Sequence, residues 1–283
     1  MIDTLSQRIR QFNRFEFKYL ISIKQAEALK ASVRKYMVPD TYGNQEGRYA
    51  ISNLYYDSPE FRCYWEKERG IKFRRKLRIR YYENGDVMTE ETSVFVEIKQ
   101  RIDRVTQKRR VALPYLNALQ LCNDRVLPEF DQKDQAIIEE VFVMLWRYQL
   151  VPAIVLRYNR QAFIGSIYDA GMRVTFDTDL SFQTYPLHLH ENRSSLPFLS
   201  ADRVIMEIKV NERIPRWLTE LVAAHNLSLY RISKYCCSIM TAQNLPSMRY
   251  RKPFSESMHE TLSSAYSTPV FWEKCTQSTD YTK

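Results

Sequence analysis

Five segments of this chain alternate charged with apolar residues at a period of two, and that pattern restricts the fold more than any other feature. Side chains of a β-strand point to opposite faces in turn, so each segment reads as a strand with one charged face and one apolar face. In Leu77-Arg78-Ile79-Arg80-Tyr81 the two arginines share a face, and in Phe95-Val96-Glu97-Ile98-Lys99 a glutamate shares one with a lysine. Ile205-Met206-Glu207-Ile208-Lys209-Val210 repeats that Glu-x-Lys pair, Arg14, Glu16 and Lys18 form a fourth row, and Arg173, Thr175 and Asp177 a fifth. A single such strand would be the solvated side of a half-buried sheet. Five rows beside several amphipathic helices imply something else, because the helices need the apolar faces and thereby turn the charged faces inward.

The rest of the chain supplies the parts. Strands are expected at 14–21, 49–57, 72–82, 93–101, 105–113, 152–164, 172–182 and 203–210, with turn signals at Asn84-Gly85-Asp86 and Asp169-Ala170-Gly171. Helices are expected at 24–36 behind Ser22 as N-cap, from Ser58-Pro59 to about Arg69, at 114–122, at 131–149, at 215–225 and at 233–242. Strands joined by short links, with helices at intervals, close most economically into an α+β fold, an antiparallel eight-stranded β-barrel with helices packed on the outside. Residues 1–245 form that domain. From 246 to 283 Ser, Thr and Pro dominate, the composition of a peripheral tail in which disorder is expected.

A barrel interior lined by Arg and Lys must be wet, because an unpaired buried charge costs several kcal/mol. The chain carries 42 Lys and Arg against 33 Asp and Glu, a formal +9, which predicts an anionic partner without naming one. It has six glycines, none arranged as a dinucleotide-binding or P-loop motif, so an anion site must be built from side chains. Arginine offers phosphate a planar fork and lysine a compact charge. Glu97 and Glu207 would gain nothing from facing a bare phosphate ligand, but carboxylates beside phosphates suit Mg²⁺ or Mn²⁺. The plainer alternative is that each glutamate neutralises the lysine two residues on.

Phe17-Lys18-Tyr19, Leu77-Arg78-Ile79-Arg80, Phe95-Val96-Glu97-Ile98-Lys99, Tyr158-Asn159-Arg160-Gln161-Ala162-Phe163, Arg173-Val174-Thr175-Phe176-Asp177, Met206-Glu207-Ile208-Lys209 and Ser233-Lys234-Tyr235 follow one another in a familiar order. Over roughly residues 12–240 the chain resembles the VTC polyphosphate polymerase domain, a member of the triphosphate tunnel metalloenzymes related to the CYTH phosphatases and adenylate cyclases. The resemblance implies transfer of the ATP γ-phosphate to a growing inorganic polyphosphate chain, with release of ADP and with Mn²⁺ or Mg²⁺ as cofactor. It implies phosphate-binding roles for Lys18, Arg78, Arg80, Lys99, Arg160, Arg173, Lys209, Arg231 and Lys234, with Lys18, Arg80 and Lys99 around the transferred group. Glu207 resembles the metal ligand, with Glu97 and Glu16 as further candidates. Arg231 and Lys234, three residues apart, could both face the tunnel if helical. Arg14 stands where the tunnel phosphatases have the first glutamate of Glu-x-Glu-x-Lys, which favours a polymerase. The chain resembles a stand-alone bacterial form, whose product would leave through a separate membrane protein.

Arg157 and Arg160 have opposite parity on one strand, so alternation admits only one of them to the interior, and the resemblance selects Arg160. The N-terminus has charges where a signal peptide needs an apolar stretch, and the longest apolar run, Val141 to Trp146, is far too short to span a bilayer. A cytoplasmic protein, at most peripheral to the inner face of the membrane, is expected. Cys63, Cys122, Cys236, Cys237 and Cys275 form no CxxC and read as reduced thiols, and His188-x-His190 reads as loop. Two other readings stay open, a tunnel-type triphosphatase and a non-catalytic polyphosphate or RNA binder using Lys72-Phe73-Arg74-Arg75-Lys76 and Lys108-Arg109-Arg110. Nucleic acid is not expected as the physiological partner.

Overall fold

Each charged row lies on a strand, and the strands join edge to edge into one antiparallel sheet. The structure is a computed structural model that describes residues 15–245 apart from 84, 104, 167, 168, 170, 191–194 and 212. Arg14 and the tail 246–283 therefore lie outside the described residues, as does Asn84 of the first turn signal. The strands are β1 (Phe15–Ser22), β2 (Met37–Pro39), β3 (Arg48–Asp57), β4 (Phe73–Glu83), β5 (Ser93–Ile102), β6 (Val105–Pro114), β7 (Val151–Gly165), β8 (Arg173–Gln183), β9 (Leu196–Pro197) and β10 (Arg203–Val210). The helices are α1 (Ile23–Val33), α2 (Arg62–Glu68), α3 (Tyr115–Leu119), α4 (Gln135–Arg147), α5 (Arg216–Ala224) and α6 (Lys234–Gln243).

The sheet runs β1-β10-β8-β7-β3-β4-β5-β6, with the short β2 added on β7 and β9 on β8. The eight expected strands are this path, and β2 and β9 are additions too short to leave a periodic signal. The expected barrel is not closed by backbone pairing. Among the described residues no ladder joins β1 to β6; instead Lys99 Nζ on β5 reaches Glu16 Oε2 on β1 at 3.1 Å. The free edge of β1 is covered by an extended segment, through a Tyr19–Leu229 bridge and a Tyr230 N–H donated to the Lys18 carbonyl at 2.7 Å. Covering an edge this way removes a template for aggregation.

Helices take the apolar faces as the alternation requires. Leu77, Ile79, Val96 and Ile98 bury with Ile138, Val141 and Leu145 of α4, while Tyr19, Val204, Met206 and Ile208 bury with Leu29 and Val33 of α1 and Leu218 of α5. Each of these side chains contributes about 1.5–3 kcal/mol on burial. Ser22 forms a capping box with Gln25 at the start of α1, and the Ser233 hydroxyl accepts from Cys236 N at the start of α6. Helix α6 departs from the expected outer position, since its Tyr235, Cys236 and Ile239 pack with inward residues Tyr55, Leu156 and Ile205 and stopper one end of the barrel. Cys63, Cys122, Cys236 and Cys237 are free thiols.

Candidate functional site

Register carries the charged rows onto one concave wall. Lys18 lies opposite Glu207, Glu207 opposite Thr175, Arg80 opposite Asn53, and Arg78 opposite Glu97. Glu16 and Lys209 also pair in register, as do Lys209 and Arg173. The interior is therefore continuous around the sheet, and cations outnumber carboxylates on it.

Two carboxylate hubs organise these cations. Glu97 is fully buried; Arg78 forks it through Nε at 2.9 Å and Nη2 at 2.6 Å, with Lys108 at 3.4 Å, Arg80 at 3.8 Å and Arg110 at 3.9 Å around it. Burial pushes its carboxyl up, but Arg78, Arg80 and Lys108 outweigh that and hold it well below the usual carboxylate range. Glu207 is ringed by Lys234 and Lys209 at 2.8 Å, Lys18 at 3.4 Å and Arg160 at 3.8 Å, and these likewise overcome burial to keep it ionised. Asp177 joins this second hub, forked by Arg160 at 2.6 and 2.7 Å and touched by Lys234 at 2.6 Å. Lys209 carries the opposite strain. Burial pulls its ammonium down to about 7, Glu207 recovers part, and Arg160 and Arg173 push it down again.

Most of the sequence-predicted residues meet here. Lys18, Arg78, Arg80, Lys99, Arg160, Arg173, Lys209, Lys234, Glu16, Glu97 and Glu207 all reach one of the two hubs or the wall between them. Arg160 turns inward, whereas Arg157 turns out to Gln183 and the carbonyls of His188 and Leu189. Arg231 does not join them: it is exposed and precedes α6 in an extended segment, so helical spacing to Lys234 does not apply. Glu207–Lys209 is the plain i, i+2 pair considered above, and Glu16 makes a similar one with Lys18, but Lys99 bypasses Glu97 for Glu16.

Sequence reading left out several members of the wall. Asp177 was legible as part of a row but not as an acceptor for two cations. Lys76, Lys108 and Arg110 were hidden in runs of basic residues, although parity alone turns them inward while Arg75 and Arg109 turn out to Glu140. The Tyr55 and Tyr158 hydroxyls accept from Arg78 and Arg80, at 2.8 and 3.2 Å. On the inward face of β8, two neighbouring buried atoms, Arg173 Nε and Thr175 Oγ1, have no hydrogen-bond partner among the described residues. Buried polar atoms are rarely left so, and both suit an anionic oxygen.

Among the described residues no cluster of three or more Asp, Glu, His or Cys is arranged to hold a metal ion. Glu16 and Glu207 nevertheless converge on one ammonium, Lys18 Nζ, at 3.0 and 3.4 Å. Two carboxylates meeting around one cation fit a hard divalent ion that takes its remaining ligands from phosphate oxygens. Glu97 stands apart from that pair, since the cations around it, Arg78, Arg80, Lys108 and Arg110, are none of those that touch Glu16 or Glu207.

A sheet curled around a polycationic interior and stoppered by a helix defines a tunnel-type α+β protein. The chain belongs to the VTC domain family, whose profile matches residues 13–243. It is 27% identical over 240 residues to vacuolar transporter chaperone complex subunit 4 of Trypanosoma cruzi, a match covering 71% of this chain and 28% of that much longer protein. Among solved structures, it is similar to a Bacillus halodurans protein described as an adenylate cyclase, with TM-score 0.48, 14% identity and coverage of 79% and 95% of the two chains. A Hippeastrum protein described as an adenylyl cyclase with dominant triphosphatase activity gives TM-score 0.49 and 13% identity over 84% of this chain and all of the other.

Proposed function

We propose that this tunnel is a polyphosphate polymerase that moves the ATP γ-phosphate onto the end of an inorganic polyphosphate chain and releases ADP, with Mn²⁺ or Mg²⁺ as cofactor. The observation that carries the reading is the excess of inward cations over carboxylates, with the carboxylates acting as placeholders that a polyanion can relieve. Membership of the VTC domain family supports it, and the motifs quoted above resemble those of the polymerase domain.

Phosphoryl transfer through a loose, in-line transition state asks for positioning and charge stabilisation more than for a protein nucleophile. Arg78, Arg80, Arg160 and Arg173 would grip the triphosphate with planar forks, and Lys18, Lys99 and Lys209 would neutralise charge around the transferred group. The acceptor end is already anionic and needs no strong general base. Glu207 and Glu16 would hold the metal, which when bound supplies Lewis-acid neutralisation of phosphate oxygens. The enzyme would act in the cytoplasm, beside a membrane protein that exports the polymer; among the described residues no helix is long and apolar enough to cross a membrane.

Glu207→Ala and Arg80→Ala test the assignment. Each is expected to lower ADP release and chain growth together by about 10²-fold or more, as loss of a charge-stabilising group does; folded variants with wild-type rates would overturn it. Hydrolysis of a triphosphate is the second reading, favoured by solvent that reaches Lys99 and Lys108, whose side chains are 38% and 43% exposed. The RNA-binding reading is less favoured, because Lys76, Lys108 and Arg110 turn to the interior and Arg75 and Arg109 to Glu140, so the two basic runs do not form one continuous outer patch.

A further inference from the structure

Opposite the stoppered end, the tunnel mouth carries aromatic rings that the phosphate chemistry does not use. Tyr42, on the loop between β2 and β3, has its ring centroid 4.7 Å from Tyr82 and 5.7 Å from Tyr49, and Tyr82 lies 5.9 Å from Phe95. Three of these rings come from inward positions of β3, β4 and β5, one layer out from Arg80 and Glu97. The Arg110 guanidinium lies over Phe95 at 4.2 Å, and Arg80 lies over Tyr82 at 5.5 Å. Tyr42 itself is 54% exposed, so the cluster ends in an open ring rather than in a closed core.

The loop that presents Tyr42 is fixed to the phosphate wall. Asp40 accepts from the Tyr42 N–H at 3.1 Å and pairs with Arg173 at 2.5 Å, and the same guanidinium donates to the Tyr49 hydroxyl. Gly47 returns the loop to β3 with a φ of +70°, where a Cβ would meet the Ala162 carbonyl oxygen at 2.5 Å. A half-exposed ring held in place by a tunnel cation loses little entropy on binding, which is what a stacking platform requires.

We infer that Tyr42, backed by Tyr49 and Tyr82, is a stacking platform for the nucleobase of the phosphoryl donor, so that the site recognises a nucleoside triphosphate rather than an inorganic triphosphate of equal charge. This rests on the tunnel holding a triphosphate, as proposed above. The platform confers no base hydrogen-bonding pattern and therefore discriminates nucleotide from inorganic phosphate but hardly one base from another.

The test compares the dissociation constants of ATP and inorganic tripolyphosphate, by calorimetry, for the full chain and for Tyr42→Ala, Tyr42→Leu and Tyr42→Phe. Stacking on one aromatic ring predicts that Tyr42→Ala and Tyr42→Leu weaken ATP about tenfold and leave tripolyphosphate within twofold, while Tyr42→Phe restores ATP binding. A parallel loss of both ligands, or no loss of ATP, overturns the platform. If the wild-type protein binds neither ligand, the tunnel reading itself fails. Melting temperatures of the three variants separate a lost contact from a lost fold.

Discussion

Glu97 shows at single-residue scale how a cation-lined interior survives without its ligand. Leaving Arg78, Arg80, Lys108 and Arg110 unpaired would cost several kcal/mol, and one buried carboxylate touches all four. Its depressed pKa means that this stabilisation is complete above the unfolded value of about 4.3 and fades as pH falls through the lower folded value. Lys209 works the other way. Its folded pKa of about 7 lies below the unfolded value of about 10.4, so it costs stability fully below pH 7, and the cost is relieved as pH rises toward 10. With 19% of its side chain exposed, the cost is about 2 kcal/mol. Urea denaturation of wild type and Lys209→Met should give a stability difference that shifts in favour of wild type by that amount between pH 6.5 and 9.5; a difference independent of pH would contradict the burial of this ammonium. The pairings behind these values were only half legible in the sequence. Period two assigns a face to Glu97, but the choice of Arg78 over Lys99 as its partner depends on strand order and register, which no local pattern contains.

At the scale of elements, α6 is the part that sequence pattern placed worst. Its short amphipathic stretch resembles an outer helix, yet it enters the barrel end and delivers Lys234 to Glu207 and Asp177. The latch is Asp57. Its Oδ1 accepts from the Ser58 and Cys63 amides at 2.8 Å, and its Oδ2 accepts from the Tyr64 amide at 3.3 Å and from the Tyr235 hydroxyl. It thereby caps α2, whose own N-cap Phe61 has a left-handed backbone and no capping side chain, and ties α2 to α6. Tyr235→Phe removes one donor from a buried carboxylate and should cost about 1.5–3 kcal/mol. It should also raise the tripolyphosphate dissociation constant, since Lys234 rides on the same turn; unchanged stability in urea and unchanged binding would show that the latch does not hold the helix. Strand limits were legible within one or two residues, as for β10 at Arg203–Val210, because charged and apolar residues alternate to the strand ends. Barrel closure was not: Lys99 of β5 reaches Glu16 of β1 and the segment at Leu229 covers the β1 edge, but among the described residues no ladder joins β1 to β6.

At the scale of the whole molecule, the net charge of +9 resolves into an arrangement. Inward cations gather around Glu97 on one wall and around Glu207 and Asp177 on the other, while Arg75, Arg109 and Arg157 are turned outward onto Glu140, Gln183 and backbone carbonyls. The aromatic mouth is not legible in the sequence for a simple reason: Tyr42, Tyr49, Tyr82 and Phe95 lie on a loop and three strands, and only the β3-β4-β5 strand order and register bring their rings together. On the function proposed above, this interior joins phosphates rather than merely holding or hydrolysing them. Phosphorus NMR of the purified protein with ATP and Mn²⁺ or Mg²⁺, the Mn²⁺ chelated before recording, measures that directly. A polymerase gives mid-chain polyphosphate signals growing in step with ADP; accumulation of orthophosphate with no mid-chain signal, or no turnover of ATP with either metal, would rule it out.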